Sequence, residues 1–145
     1  MTDLLTRTIA LNCTVDHAFD VFTRMIDLWW PRGHRKHREG SLRLEPTPGG
    51  ALIDRAPDGS EWTMGRVTEI APPSRLALDW YPGSAAAPTA VEISFVPEGA
   101  GTQITVTHRP LLEMKSIWPQ RVELFTKGWE AVLPALKSHI ETEEV

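Results

Sequence analysis

At 145 residues the chain is long enough to bury one sizeable core and too short for two, so a single domain over residues 1–145 is expected. Hydrophobic residues make up 41% and charged residues 23%, which excludes a disordered polymer, and no apolar run approaches the roughly 20 residues of a membrane-spanning helix. The net charge of −4 argues against general nucleic-acid binding, and a single cysteine, Cys13, leaves no internal disulfide and no multi-cysteine metal site.

The N-terminal MTDLLTRTIALN lacks the basic, apolar, small-residue order of a leader, so a cytoplasmic location is expected. Residues Thr6 to Cys13 alternate, with Ile9, Leu11 and Cys13 on one face, as a half-buried strand does. Thr14 then offers an N-cap hydroxyl, and Val15, Ala18, Phe19, Phe22, Met25, Ile26 and Trp29 form an apolar helical stripe that Pro31 stops. This predicts one helix, or two with a break near Thr23 to Asp27.

From Glu39 to His108 the chain breaks into short runs between turn signals: Pro48-Gly49-Gly50, Pro57-Asp58-Gly59, Pro72-Pro73-Ser74, Tyr81-Pro82-Gly83 and Pro97-Glu98-Gly99. The runs have period two, clearest at Leu76, Leu78 and Trp80, at Val91, Ile93 and Phe95, and at Ile104, Val106 and His108. They predict six further strands, with a loop from Ser84 to Thr89. The period then changes: Trp118, Val122, Phe125, Trp129, Val132, Leu133, Leu136 and Ile140 recur every three or four residues, which predicts a long amphipathic helix. Pro119 suits its first turn, and Pro134 inside the stripe should bend it. Seven antiparallel strands cannot cover their own inner face, so the α+β fold that follows is a curved sheet wrapped around the C-terminal helix.

The order of elements, together with Val15 to Phe22, Trp30-Pro31, Gly49-Gly50, the run Gly65 to Leu76 leading to Trp80, Gly101-Thr102 and Gly128-Trp129, resembles the START-like superfamily, also called SRPBCC or helix-grip. Within it the chain is most similar to proteins related to the heat-shock protein 90 ATPase activator. The resemblance implies a helix-grip fold with a pocket between sheet and helix. It covers lipid carriers, hormone binders, polyketide cyclases and co-chaperones, so fold alone does not choose the role.

Six tryptophans against one tyrosine build either a solid core or the walls of a pocket. Trp62 and Met64 share a strand face, Trp80 ends another strand, and Trp118, Phe125 and Trp129 lie on the long helix. Arg66 has the parity of Trp62 and Met64, so an inward guanidinium could anchor a ligand carboxylate, or pair with an acid. His108 takes an inward position where alternation calls for an apolar residue, as a ligand contact, an acid–base group or a satisfied core histidine. Arg32 to Arg38 reads Arg-Gly-His-Arg-Lys-His-Arg: a solvated loop, an anion-binding lid or a docking site for an acidic partner. His34 and His37 lack a third metal ligand. Asp54, Glu61, Glu69 and Asp79 form no carboxylate pair, and no nucleophile elbow, phosphate loop or dinucleotide fingerprint occurs.

The expected function is therefore binding of a small, largely apolar molecule by Trp62, Met64, Arg66, Trp80, His108, Trp118, Phe125 and Trp129. No catalytic set, metal or cofactor is expected. Two alternatives stay open: a stress-related, co-chaperone-like adaptor binding a chaperone or other protein through its surface, and a cyclase-like pocket enzyme using His108. A monomer or homodimer is expected, without nucleic acid or membrane insertion.

Overall fold

A computed structural model describes residues 4–80, 89–111 and 118–143. Strand β1 (Leu5–Leu11) leads into helices α1 (Val15–Thr23) and α2 (Ile26–Trp29), and a 3₁₀ turn at Arg32–His34 follows. Six strands come next: β2 (Ser41–Leu44), β3 (Ala51–Arg55), β4 (Glu61–Ala71), β5 (Arg75–Trp80), β6 (Thr89–Glu98) and β7 (Gly101–Pro110). The chain then forms α3 (Trp118–Glu143). The helical stripe after β1 is thus two helices, broken at the predicted place.

Local chemistry accounts for the junctions. Thr14 sits in extended geometry and its Oγ1 accepts the His17 amide at 3.2 Å, satisfying one of the free N–H groups that open α1. Replacing Thr14 by alanine should therefore cost about 1 kcal/mol, read as a fall in the urea midpoint with an unchanged denaturant slope. Gly59 and Gly99 turn the β3–β4 and β6–β7 connections with φ of +94° and +58°, a region that side-chain-bearing residues avoid. The predicted loop Ser84 to Thr89 lies outside the described residues except for Thr89, which is the first residue of β6.

The seven strands form one antiparallel sheet in the order β1-β7-β6-β5-β4-β3-β2, a curled half-barrel. Its register puts Leu5, Ile9 and Leu11 of β1, Ile104, Val106 and His108 of β7, Val91, Ile93 and Phe95 of β6, and Leu76, Leu78 and Trp80 of β5 on one face. Trp118, Phe125, Trp129, Val132, Leu133, Leu136 and Ile140 of α3 join the same buried cluster. The helix therefore packs against the concave face, and burial of this shared surface is the main stabilising contribution. Two polar contacts tie α3 to β1: Arg7 to Glu130 at 3.3 Å, and Lys137 Nζ to the Ala10 carbonyl at 3.2 Å. The helix continues through Pro134, whose side is exposed.

One irregularity overturns a sequence expectation. In β4, Thr63 pairs with Ile53 and Gly65 with Leu52, so Met64 is an extra residue bulged out of the ladder. A bulge shifts the alternation by one. Arg66 accordingly pairs with Ala51 and Asp79 on the convex face, is exposed, and donates to the Gly49 carbonyl at 2.8 Å. It is not an inward anchor. Among the described residues no helix is long and apolar enough to cross a membrane.

Candidate functional site

Three indoles meet where α3 crosses the sheet. Trp30 follows α2, Trp80 ends β5 and Trp129 projects from α3, with ring centroids 5.8 Å (Trp30–Trp80), 5.7 Å (Trp80–Trp129) and 6.0 Å (Trp30–Trp129) apart. Beside them a cavity of about 200 Å³ opens to solvent. Phe125 and Val132 complete its apolar wall, while His34, Leu124, Lys127 and Gly128 stand around it. Leu124 is 62% exposed. Most of the interior is therefore packed side chain, with a small cleft left open.

Gly128 is the least expected of these residues, because glycine inside a helix costs about 0.5–1 kcal/mol relative to alanine. A Cβ built there meets only His34 Nδ1, at 4.0 Å. The missing side chain leaves that side of the cavity clear.

His108 lies directly behind the wall and is fully buried. The Trp129 indole N–H donates to its Nδ1 at 3.0 Å, so that nitrogen carries no proton. The neutral ring then donates through Nε2 to Thr89 Oγ1 at 2.7 Å, and the Thr89 hydroxyl reaches the Trp80 carbonyl at 3.4 Å. Phe125 and Trp118 pack on the imidazole at 4.4 Å and 5.5 Å between centroids. Burial among these rings pulls its pKa down to about 3. Both nitrogens are occupied and the ring is held neutral, so His108 fixes the orientation of Trp129 and has no nitrogen left for proton transfer.

The remaining predicted residues lie elsewhere. Trp62 is half-buried under the Lys36 ammonium, which sits 4.4 Å from the ring centroid, and neither Trp62 nor Met64 borders the cavity. Trp118 stacks on Phe125 at 5.8 Å and is buried, with no acceptor for its Nε1 proton among the described residues, and it does not reach the cavity either. Trp80, Phe125 and Trp129 are thus brought together at the cavity, with His108 behind them, while Trp62, Met64, Arg66 and Trp118 are not. Trp30, Thr89 and Gly128 were missed as contributors. Trp30 and Gly128 stood in the sequence only within the resemblance motifs Trp30-Pro31 and Gly128-Trp129, Gly128 also as a glycine inside a helical stripe, and Thr89 left no trace.

The basic run Arg32 to Arg38 is more tightly built than a solvated loop. Arg35 is buried, pairs with Asp27 Oδ1 at 2.7 Å and donates to the Trp30 carbonyl at 2.8 Å, which rules it out as a free anion-binding group. Asp54, fully buried on β3, accepts the amides of Lys36 (2.8 Å) and His37 (3.3 Å) and bonds His37 Nδ1 at 2.8 Å. The carboxylate of Asp54 thus clamps the segment that carries His34 to the cavity. Among the described residues no cluster of three or more His, Cys, Asp or Glu converges as a metal set. A larger concavity of about 800 Å³ is an open trough between α1 and the β4–β5 turn, lined by Asp16, Asp20, Arg24 and Pro72 among others, and none of the predicted ligand residues lies in it.

The sequence over residues 12–141 matches a family described as activator of Hsp90 ATPase homolog 1-like protein. No curated protein matches significantly. Among solved structures, an anthrahydroquino-gamma-pyrone synthase, Txn09, complexed with SUM, is 30% identical, with 74% of this chain and 77% of that chain covered and a TM-score of 0.56. A protein from Nitrosomonas europaea is 18% identical over 97% of this chain and 96% of that one, with a TM-score of 0.71. DynU16, a protein in the dynemicin biosynthetic locus, is 19% identical with a TM-score of 0.74; this chain is covered to 99% and spans 49% of that chain. At 18% and 19% identity these last two show the fold alone.

Proposed function

The chain belongs to the activator of Hsp90 ATPase homolog 1-like family, and from that premise we propose that it binds a small, largely apolar molecule in the cavity between its sheet and its C-terminal helix. The observation that carries this reading is the open cleft of about 200 Å³ walled by Trp30, Trp80, Phe125 and Trp129. The apolar walls keep appreciable exposure at Trp80 and Leu124, which favours an apolar guest, because its burial removes both surfaces from water. The synthase that is 30% identical is described as complexed with SUM; what is carried over is the capacity to bind, not its reaction. Asp54 and Arg35 support the reading by fixing the segment that brings Trp30 and His34 to the site.

Gly128→Leu tests it. The added side chain enters the mouth, where a Cβ meets only His34 Nδ1 at 4.0 Å, and leucine is a better helix former than glycine. Native mass spectrometry of the wild-type protein purified from its own host should show a retained small molecule, and Gly128→Leu should lose it while its melting temperature stays level or rises. Retention that is the same in the variant would place the ligand elsewhere, and no retained molecule in either would count against the reading.

The family match also supports a second reading, a co-chaperone-like adaptor, for which Leu28 and Leu124, 63% and 62% exposed, offer apolar contact points. An unchanged ATPase rate of the chaperone on titration with this protein would remove it.

A further inference from the structure

Resting on the ligand-pocket reading, we propose that the ligand class is one six-membered aromatic ring carrying an anionic group on a short arm. Size comes first. A cavity of about 200 Å³ lies below the roughly 300–1,000 Å³ of sites for larger organic ligands, and is close to the ~150 Å³ that accommodates benzene. One substituted ring fits; three fused rings or an acyl chain of lipid length do not.

Shape and polarity narrow it further. The walls are flat rings, and a planar guest meets them with offset or edge contacts that a branched aliphatic one cannot make. Two of the three indole N–H groups are already spent: Trp30 Nε1 donates to the His34 carbonyl at 3.2 Å and Trp129 Nε1 donates to His108, which in turn donates to Thr89. A polar group of the ligand set against Trp30, Trp129 or His108 would lose its water without gaining a partner there.

Charge sets the remaining feature. Lys127 stands at the mouth beside His34, and its pairing with Glu123 is an exposed (i, i+4) contact at 3.4 Å, weak enough to exchange for a ligand carboxylate. A cationic guest is disfavoured on two counts: Lys127 repels it, and the three indoles pack against one another, which closes the space that a cation cage needs.

The test is quenching of tryptophan fluorescence by four probes: phenylacetate, its neutral analogue phenylacetamide, phenethylamine, and anthracene-2-carboxylate, each with wild type, Lys127→Glu and Gly128→Leu. Phenylacetate should bind most tightly. Lys127→Glu should weaken it by about three- to fivefold, the scale of an exposed charge pair, and leave phenylacetamide unchanged. Anthracene-2-carboxylate should bind at least tenfold more weakly. Equal binding of phenylacetate and phenylacetamide with no effect of Lys127→Glu would overturn the anionic arm. Binding of the tricyclic acid as tight as phenylacetate, and abolished by Gly128→Leu, would overturn the single ring and leave the pocket reading standing. If no probe binds while the protein retains a Gly128→Leu-sensitive molecule from its host, the ligand class falls alone; if nothing is retained either, both fall.

Discussion

Acid should destabilise this protein through His108 by about 4–5 kcal/mol between pH 6.5 and pH 3. In the unfolded chain the imidazole takes up a proton near its ordinary value of 6.5, whereas in the fold burial holds that event down to about 3. Between those values the unfolded state binds more protons than the native one. The folded state is therefore fully favoured by this group above pH 6.5 and loses that advantage as pH falls toward 3. Geometry agrees with this direction, since protonating Nδ1 would set two donors against each other at the Trp129 contact. Urea unfolding of wild type and His108→Gln at pH 7, 5 and 4 separates this contribution from that of the carboxylates. The difference in stability between the two proteins should shrink steadily below pH 6.5; a difference independent of pH would refute the assignment. Trp129→Phe, which keeps a ring but removes the indole N–H, serves as a second probe and should cost about 1–3 kcal/mol at neutral pH by leaving Nδ1 without its donor.

Removing the Asp54 carboxylate should cost about 3–5 kcal/mol. The side chain is 0% exposed and serves three donors, the amides of Lys36 and His37 and the ring of His37, so Asp54→Ala strands N–H groups in a partly buried segment and opens a gap under β3. Asp54→Asn keeps the volume and one acceptor oxygen but turns an amide donor toward one of the three donors, so it should fall between wild type and alanine. Denaturant midpoints for both variants check the order. The same loosening should reach the ligand site, because Trp30 and His34 belong to the segment that Asp54 and Arg35 hold. A cost below 1 kcal/mol for Asp54→Ala would mean that the clamp contributes nothing beyond an ordinary surface contact.

The sequence made the architecture legible because its two periods are long and clean. Eight apolar positions from Trp118 to Ile140 allow only a helix, and Leu76, Leu78 and Trp80 allow only a strand with one buried face. Parity arguments failed where the chain itself broke parity: the extra residue Met64 turned Arg66 outward, and Gly65 beside it, a glycine inside a strand and so a signal of a bulge, entered only as part of the resemblance. The His37–Asp54 pair was invisible because its members are 17 residues apart and meet only through the fold. Trp30 was hidden for a similar reason, since its position after α2 says nothing of its approach to Trp80 and Trp129. His108 could be placed inward from alternation, but whether it was poised or satisfied depended on Trp129 and Thr89, which come from other elements.

The tie between α3 and β1 bears on how copies of this chain meet. β1 and β2 pair on one side only and so present unmatched peptide groups, the usual template for recruiting a strand from another molecule. β2 is four residues long, too short to hold a guest strand firmly. Along β1, Lys137 occupies the Ala10 carbonyl and the Arg7–Glu130 pair places charge beside the border. These features weigh against edge-to-edge polymerisation of the open half-barrel at either rim.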